Sequence, residues 1–216
     1  MQLTRFGHSC VRLDDGDRAL VIDPGVFSDV PAALDGAGGV LITHEHPDHL
    51  DVNALGAALR ADSRLPVWAP APVAGLLEEF GERVAAVAAG ENFTAGGFGV
   101  RAFGGQHALI HISIPVVANV GYLIDPDGSA ILHPGDSLEV PPAEVRHLLL
   151  PTSAPWAKVS EVIDYAIAVR APRSFQIHDA LVNQNYTGIV EGHLHRLLER
   201  FQMQFTHLAD SQPVAV

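Results

Sequence analysis

Gly39-Val40-Leu41-Ile42-Thr43-His44-Glu45-His46-Pro47-Asp48-His49 decides how this chain is read. Its first five residues are an apolar run closed by a threonine, the pattern of a short strand buried on both faces. The next six hold three imidazoles and two carboxylates. Ionisable groups crowded at the end of a buried strand are costly unless solvated or paired. Imidazole and carboxylate ligands suit zinc, manganese or iron rather than a soft thiolate site. Metal binding there implies a hydrolase, with further ligands supplied from elsewhere in the chain.

The rest of the composition narrows the function. The 216 residues are 48% hydrophobic and 18% charged, with 20 Gly and 15 Pro, which is globular and read most simply as one domain over 1–216. A formal net charge of -12 argues against long nucleic acid as a partner, because phosphate binding needs a basic surface. A small-molecule substrate, even an anionic one held beside cations, stays compatible, and so does a homo-oligomer. Lys158 is the only lysine and Cys10 the only cysteine, so an intrachain disulfide is excluded. Met1 to His8 lacks the charged start and apolar core of a signal peptide. No apolar stretch approaches the roughly 18 residues of a membrane helix, so a cytoplasmic protein without membrane contact is expected.

Strand and turn signals extend in both directions. Cys10–Leu13 and Ala19–Ile22 flank Asp14-Asp15-Gly16-Asp17 as a hairpin, and Asp23-Pro24-Gly25 ends the second strand. Helical spacing marks 53–60, with Leu55 and Leu59 on one face, and 73–80. Strands are expected at 66–69, 98–103, 120–124 and 130–132, the last two joined by Asp125-Pro126-Asp127-Gly128. Leu148-Leu149-Leu150-Pro151 reads as a strand buried on both faces. Ser160 is the expected cap of a helix, 174–177 a last strand, and 192–201 a terminal helix. Both halves show a meander followed by β-α-β units, which fits an α/β four-layer αββα sandwich.

The hexapeptide resembles the H-x-H-x-D-H signature of the metallo-β-lactamase superfamily. Gly104-Gly105-Gln106-His107, Gly135-Asp136 and Ile177-His178-Asp179 follow in that superfamily's order, and Asp23-Pro24-Gly25 also matches. The resemblance implies one divalent cation on His44, His46 and His107 and a second on Asp48, His49 and His178, with Asp136 bridging. Two zinc ions are expected, and manganese also fits nitrogen and oxygen ligands. The resemblance further implies that water between the ions becomes the nucleophile and that Asp48, the catalytic residue, orients it. Gly7-His8-Ser9-Cys10 and Pro134-Gly135-Asp136-Ser137 look most like the UlaG-like, ascorbate-6-phosphate-lactonase-related hydrolases.

Other residues carry two readings each. His111, four residues after His107, is its rival as ligand and otherwise a substrate-side group; Gly104-Gly105 favours His107. His8 is either a substrate contact or a structural histidine. Lys158 either binds a substrate anion or is a solvated lysine at a helix start. Asp23 holds the signature loop by accepting from a metal-bound imidazole, or caps a turn. His133 is read as a strand-end residue facing solvent, with support of the metal ligands from behind as its rival, and Cys10 as a small core residue. The resulting function is binuclear metal-dependent hydrolysis of a small ester, lactone or phosphodiester. Its alternatives are a metal-bound binding protein without turnover and a redox diiron protein.

Overall fold

The computed structural model describes residues 1–124 and 128–216. The expected Asp125-Pro126-Asp127-Gly128 turn has its first three positions outside the described residues. The chain begins with three antiparallel strands, β1 (Gln2–Arg5), β2 (Val11–Asp15) and β3 (Arg18–Ile22). Helix α1 (Val30–Leu34) leads to β4 (Gly39–Leu41), helix α2 (Val52–Ala61) to β5 (Val67–Ala69), and helix α3 (Ala71–Leu76) to β6 (Val84–Ala86), with β3 to β6 parallel. The second half repeats the scheme. Strands β7 (Asn92–Ala95), β8 (Phe98–Gly104), β9 (Val120–Ile124) and β10 (Ile131–His133) are antiparallel. Parallel strands β11 (His147–Pro151), β12 (Arg173–Ile177) and β13 (Gln204–Thr206) follow, separated by helices α4 (Val159–Val169) and α5 (Gln184–Leu198). A final strand, β14 (Val214–Ala215), pairs with β1.

Two seven-stranded sheets result, ordered β14-β1-β2-β3-β4-β5-β6 and β13-β12-β11-β10-β9-β8-β7. Side-chain alternation along each strand builds the layers. Leu20, Ile22 and Leu41 meet Phe98, Tyr122, Leu149 and Phe175 between the sheets. Their neighbours Val21, Val40 and Ile42 point the other way, onto Leu55, Leu59 and Val73. On the far side Leu148 and Leu150 pack against Val162, Ala166, Val190 and Leu194. This is the αββα sandwich expected from the sequence. The Tyr122 hydroxyl, buried in the middle layer, donates to Ile42 O at 2.8 Å and so crosses between the sheets without an unmet polar group.

Some elements differ from their sequence expectation for local reasons. The helix expected over 73–80 is α3, which begins earlier because Pro72 suits a first turn, and ends before Leu77, whose φ of -112° leaves the helical region. Helix α4 starts ahead of Ser160: Glu161 reaches back to accept the Lys158 N–H at 3.0 Å and supplies the cap. Helix α5 begins eight residues before the expected Gly192, since Asn183 Oδ1 accepts from the N–H groups of Asn185 and Tyr186. Gly188 and Gly192 mask its start by propensity, but Val190, Leu194 and Leu198 bury at four-residue spacing. Among the described residues no helix is long and apolar enough to cross a membrane.

Candidate metal centre

The loops that leave the carboxyl ends of the strands meet at one end of the sandwich. Asp23 follows β3, and residues 43–49 follow β4. His107 follows β8, Asp136 follows β10, Trp156 follows β11 and His178 follows β12. His8 comes from the turn between β1 and β2. His8, Asp23 and His178 hold φ values of 46°, 51° and 64°. Backbone in that region is costly for non-glycine residues, and such positions gather at functional sites. Two glycines permit close approach: a Cβ on Gly25 would lie 1.9 Å from Asp48 O, and one on Gly135 would lie 2.3 Å from Asn119 Oδ1.

Side chains from these loops form two clusters. His44, His46, His107 and Asp136 each present one ligand atom, all within 4.8 Å of one another; His8, Asp48, His49 and His178 do the same. The structure therefore gathers all seven sequence-expected ligands and brings His8 beside them. Within the clusters, neighbouring ligand atoms stand 3.1–4.0 Å apart: His44 Nε2 to His46 Nδ1 3.1 Å, His107 Nε2 to Asp136 Oδ2 3.2 Å, His178 Nε2 to Asp48 Oδ2 3.4 Å, His49 Nε2 to Asp48 Oδ2 4.0 Å; between the clusters, His49 Nε2 is 3.0 Å from Asp136 Oδ1. Two ligands of one tetrahedral zinc with bonds of about 2.0 Å lie about 3.3 Å apart.

Hydrogen bonds on the far side of the rings fix which nitrogen is free. His49 Nδ1 is 2.7 Å from Asp23 Oδ2, His107 Nδ1 is 2.6 Å from Ala108 O, and His178 Nδ1 is 2.6 Å from Ser153 O. Each Nδ1 thus donates, and each Nε2 keeps a lone pair. Thr43 Oγ1 donates to Asp23 Oδ2 at 2.6 Å and so accepts from His44 Nδ1 at 3.0 Å, leaving His44 Nε2 free as well. His49 Nε2, His107 Nε2, His178 Nε2 and Asp136 Oδ1 are buried with no hydrogen-bond partner, although they approach one another to contact distance. Their alignment serves a common point rather than a hydrogen bond. Orphaned buried lone pairs of this kind are rare, and a divalent cation is what they fit.

Electrostatics agrees. Burial, with His49 next, holds His44 well below the ordinary imidazole range, so it is neutral and available as a ligand. Burial also opposes charge on His49, but Asp136 and Asp23 outweigh it and hold the ring well above the usual value. His178 behaves likewise: burial is overcome by Asp136 and Asp48, and its pKa rises to about 9. Both shifts arise from the carboxylates gathered around the two rings, anionic surroundings that also favour a cation.

His8 is buried, and its Nδ1 accepts the Ala180 N–H at 3.2 Å, so its Nε2–H points at Asp48 Oδ2, 3.2 Å away. A donor in that direction holds Asp48 rather than contributing a lone pair. His111 lies outside both clusters, exposed, with Nδ1 accepting from Ser113 N; of the two rivals, His107 is the one brought in. Lys158 is also outside, its Nζ paired with Glu161 Oε1 at 3.2 Å on the surface. From that loop it is Trp156 that reaches the site: its Nε1–H donates to Asp136 Oδ2 at 2.8 Å, a contact with no sequence signal. Asn119 also lacked one; it accepts from Asp136 N and donates to Pro134 O, fixing the turn that presents Asp136. His133, expected to face solvent, is instead fully buried, bonded to Ser9 O at 3.0 Å and accepting from Gly135 N. Cys10 is buried as a core residue, and burial raises its thiol pKa far above the ordinary range.

The beta-lactamase superfamily domain matches residues 2–178. Protein Rv0786c of Mycobacterium tuberculosis is 41% identical over 216 residues, covering 99% of both chains. A UPF0173 metal-dependent hydrolase of Xanthobacter autotrophicus is 32% identical over 146 residues, 63% of this chain and 58% of that protein. Among solved structures, the metallo hydrolase Igni18 of Ignicoccus hospitalis superposes with a TM-score of 0.72 at 19% identity, covering 99% and 97% of the two chains.

Proposed function

The chain belongs to the beta-lactamase superfamily, and we propose that it is a metal-dependent hydrolase whose two clusters hold two divalent cations, most naturally zinc. The observation that carries this reading is the set of buried, partnerless ligand atoms on His49, His107, His178 and Asp136. His44, His46 and His107 would hold one ion, Asp48, His49 and His178 the other, with Asp136 between them. Bound there, such cations supply Lewis acidity and lower the pKa of water. The substrate class is a small ester, lactone or phosphodiester; water adds to its electrophilic centre, the bond to the leaving oxygen breaks, and that oxygen takes up the proton.

This chain's own residues orient the reactants. Burial alone would raise the Asp48 carboxyl, but the neighbouring His178 and His8 rings hold it well below the usual carboxylate range. It is therefore an anionic acceptor at neutral pH, suited to orienting a water rather than storing a proton. Asp23 and Ser153 O keep the His49 and His178 rings in their ligating tautomers. The Trp156 N–H takes one lone pair of Asp136 Oδ2 and so limits how that carboxylate can turn.

The test is metal content together with hydrolysis of a lactone, a thioester and a bis-aryl phosphodiester. Asp48→Asn should lower the rate by orders of magnitude, because nucleophile positioning is lost. Bound metal without turnover of any member, and ligand affinity indifferent to Asp48→Asn, would assign the scaffold to binding instead.

A further inference from the structure

Three apolar surfaces border the clusters, each through a contact to one of their residues. The loop from Gly104 to Asn119 is an extended finger: His107 N donates to Val117 O, Asn119 N to Gly105 O, and Ala108 N to Asp136 O at 2.7 Å. Its stems are thus tied to two of the ligands. Between them Leu109, Ile112 and Ile114 stand in solvent, Ile112 at 88% exposure, around a turn closed by Ile114 N to His111 O. The exposed ring of Phe27 meets the His8 ring edge-on at 5.5 Å. The third surface is a groove of about 270 Å³ lined by Leu181 and Tyr186 and by Ser153, whose carbonyl holds His178. Exposed apolar patches contiguous with a polar centre mark binding surfaces.

The bordering cations are spoken for. Arg5 is paired with Asp179 and with Asp210, and Lys158 with Glu161. Arg5 is buried against two carboxylates, and Lys158 sits exposed on the surface beside Glu161, outside both clusters. The finger carries no Asp, Glu, Lys or Arg, so it offers little to a polyanion or an anionic surface.

We propose that the substrate carries an uncharged, apolar acyl or aryl group next to the bond that is cleaved, and that the finger and the Leu181–Tyr186 groove hold it. This rests on the hydrolase reading above and narrows it away from phosphorylated substrates.

The metal-loaded protein is tested with acetohydroxamate and octanohydroxamate by calorimetry, and with 4-nitrophenyl acetate, butyrate and octanoate by rate. A buried methylene is worth about fourfold in affinity. If half of the six added methylenes make contact, octanohydroxamate binds about 60-fold tighter than acetohydroxamate, and kcat/KM rises with chain length. Ile112→Ser combined with Ile114→Ser, both at exposed positions, should cut the hydroxamate ratio below about tenfold; Leu181→Ser serves as an independent variant. Equal affinities for the two hydroxamates overturn the proposal, and so does a ratio that survives all three substitutions. A wild-type dimer that the finger variant dissolves, with the ratio unchanged, also overturns it and assigns the finger to a second copy of the chain. Chain-length-dependent binding without hydrolysis of any ester would sink the hydrolase reading and leave this one standing; hydrolysis with no chain-length dependence would do the reverse.

Discussion

Asp23→Asn tests the logic of the centre without touching an ion ligand. Asp23 is fully buried, and three donors converge on it: Thr43 N on Oδ1 at 2.7 Å, and Thr43 Oγ1 and His49 Nδ1 on Oδ2 at 2.6 and 2.7 Å. Asparagine offers an acceptor on one side only. With its oxygen at the Oδ1 position, the amide NH2 faces His49, which must turn to the tautomer with hydrogen on Nε2 and so loses its ligating lone pair. With its oxygen at the Oδ2 position, the NH2 meets the Thr43 N–H donor to donor. One hydrogen bond to a charged acceptor is lost either way, worth about 1.5–3 kcal/mol. For a chain of this size that corresponds to roughly 3–12 °C in Tm. Loss of the support behind a metal-bound imidazole typically lowers affinity about 10- to 100-fold, and the loss should fall on the ion held by Asp48, His49 and His178. Competition titration against a chromophoric chelator resolves the two ions, and a melt of the metal-free protein isolates the stability part. Wild-type affinity for both ions in Asp23→Asn would refute the tautomer argument.

Chelation should destabilise the fold: at ion concentrations 1,000-fold above Kd, each bound ion contributes about 4 kcal/mol, so Tm should fall by about 8–16 °C per ion removed, read by calorimetry with metal content measured in parallel. Trp156 donates to Asp136 while Trp68 stacks on Phe93 between the sheets; indole fluorescence should therefore change on metal addition, and Trp156→Phe should abolish that response while Trp68→Phe retains it. Gly25→Ala puts a Cβ 1.9 Å from Asp48 O, which should displace residues 48 and 49, empty the second ion position and cost about 1–3 kcal/mol; full stoichiometry and an unchanged melt would contradict this. Burial, with Arg173 and Arg146 behind it, lowers the His147 pKa to about 4. This folded value lies below the ordinary 6.5, so the unfolded chain takes up the proton first; stability is intact above pH 6.5 and lost as pH falls toward 4, by at most about 3 kcal/mol. Denaturant titrations at pH 7 and 4.5 should show that slope in the wild type and its reduction in His147→Phe.

Much of this was legible in the sequence because it is local. The apolar run before His44 announces a buried strand, and the two-residue alternation of Leu20, Val21 and Ile22 assigns faces without any knowledge of partners. The order of His107, Asp136 and His178 after the hexapeptide was readable only through resemblance, since nothing in spacing alone brings residues 58 or more positions beyond the hexapeptide back to it. The missed features are those created by tertiary contact. Trp156 is twenty residues from Asp136 and meets it only because β10 and β11 are neighbours. His133 looks like a strand-end residue in sequence, but the sheet-to-sheet packing places Ser9 O over it. Of the two readings of Lys158, the solvated lysine at a helix start is the one found: its N–H donates to the Glu161 carboxylate that caps α4.

The division of the centre between the sheets has a mechanical consequence. His8, Asp23 and the 44–49 loop ride on one sheet, while His107, Asp136, Trp156 and His178 ride on the other. Backbone bonds from Val120 N to Thr43 O and from His178 N to His8 O stitch the two at this end. Any sliding of one sheet over the other would be transmitted without loss to the spacing between ligand atoms. Close-packed interiors resist such sliding, so the buried layer between the sheets acts as the gauge block that sets the tolerance of the chemistry, away from where the chemistry occurs.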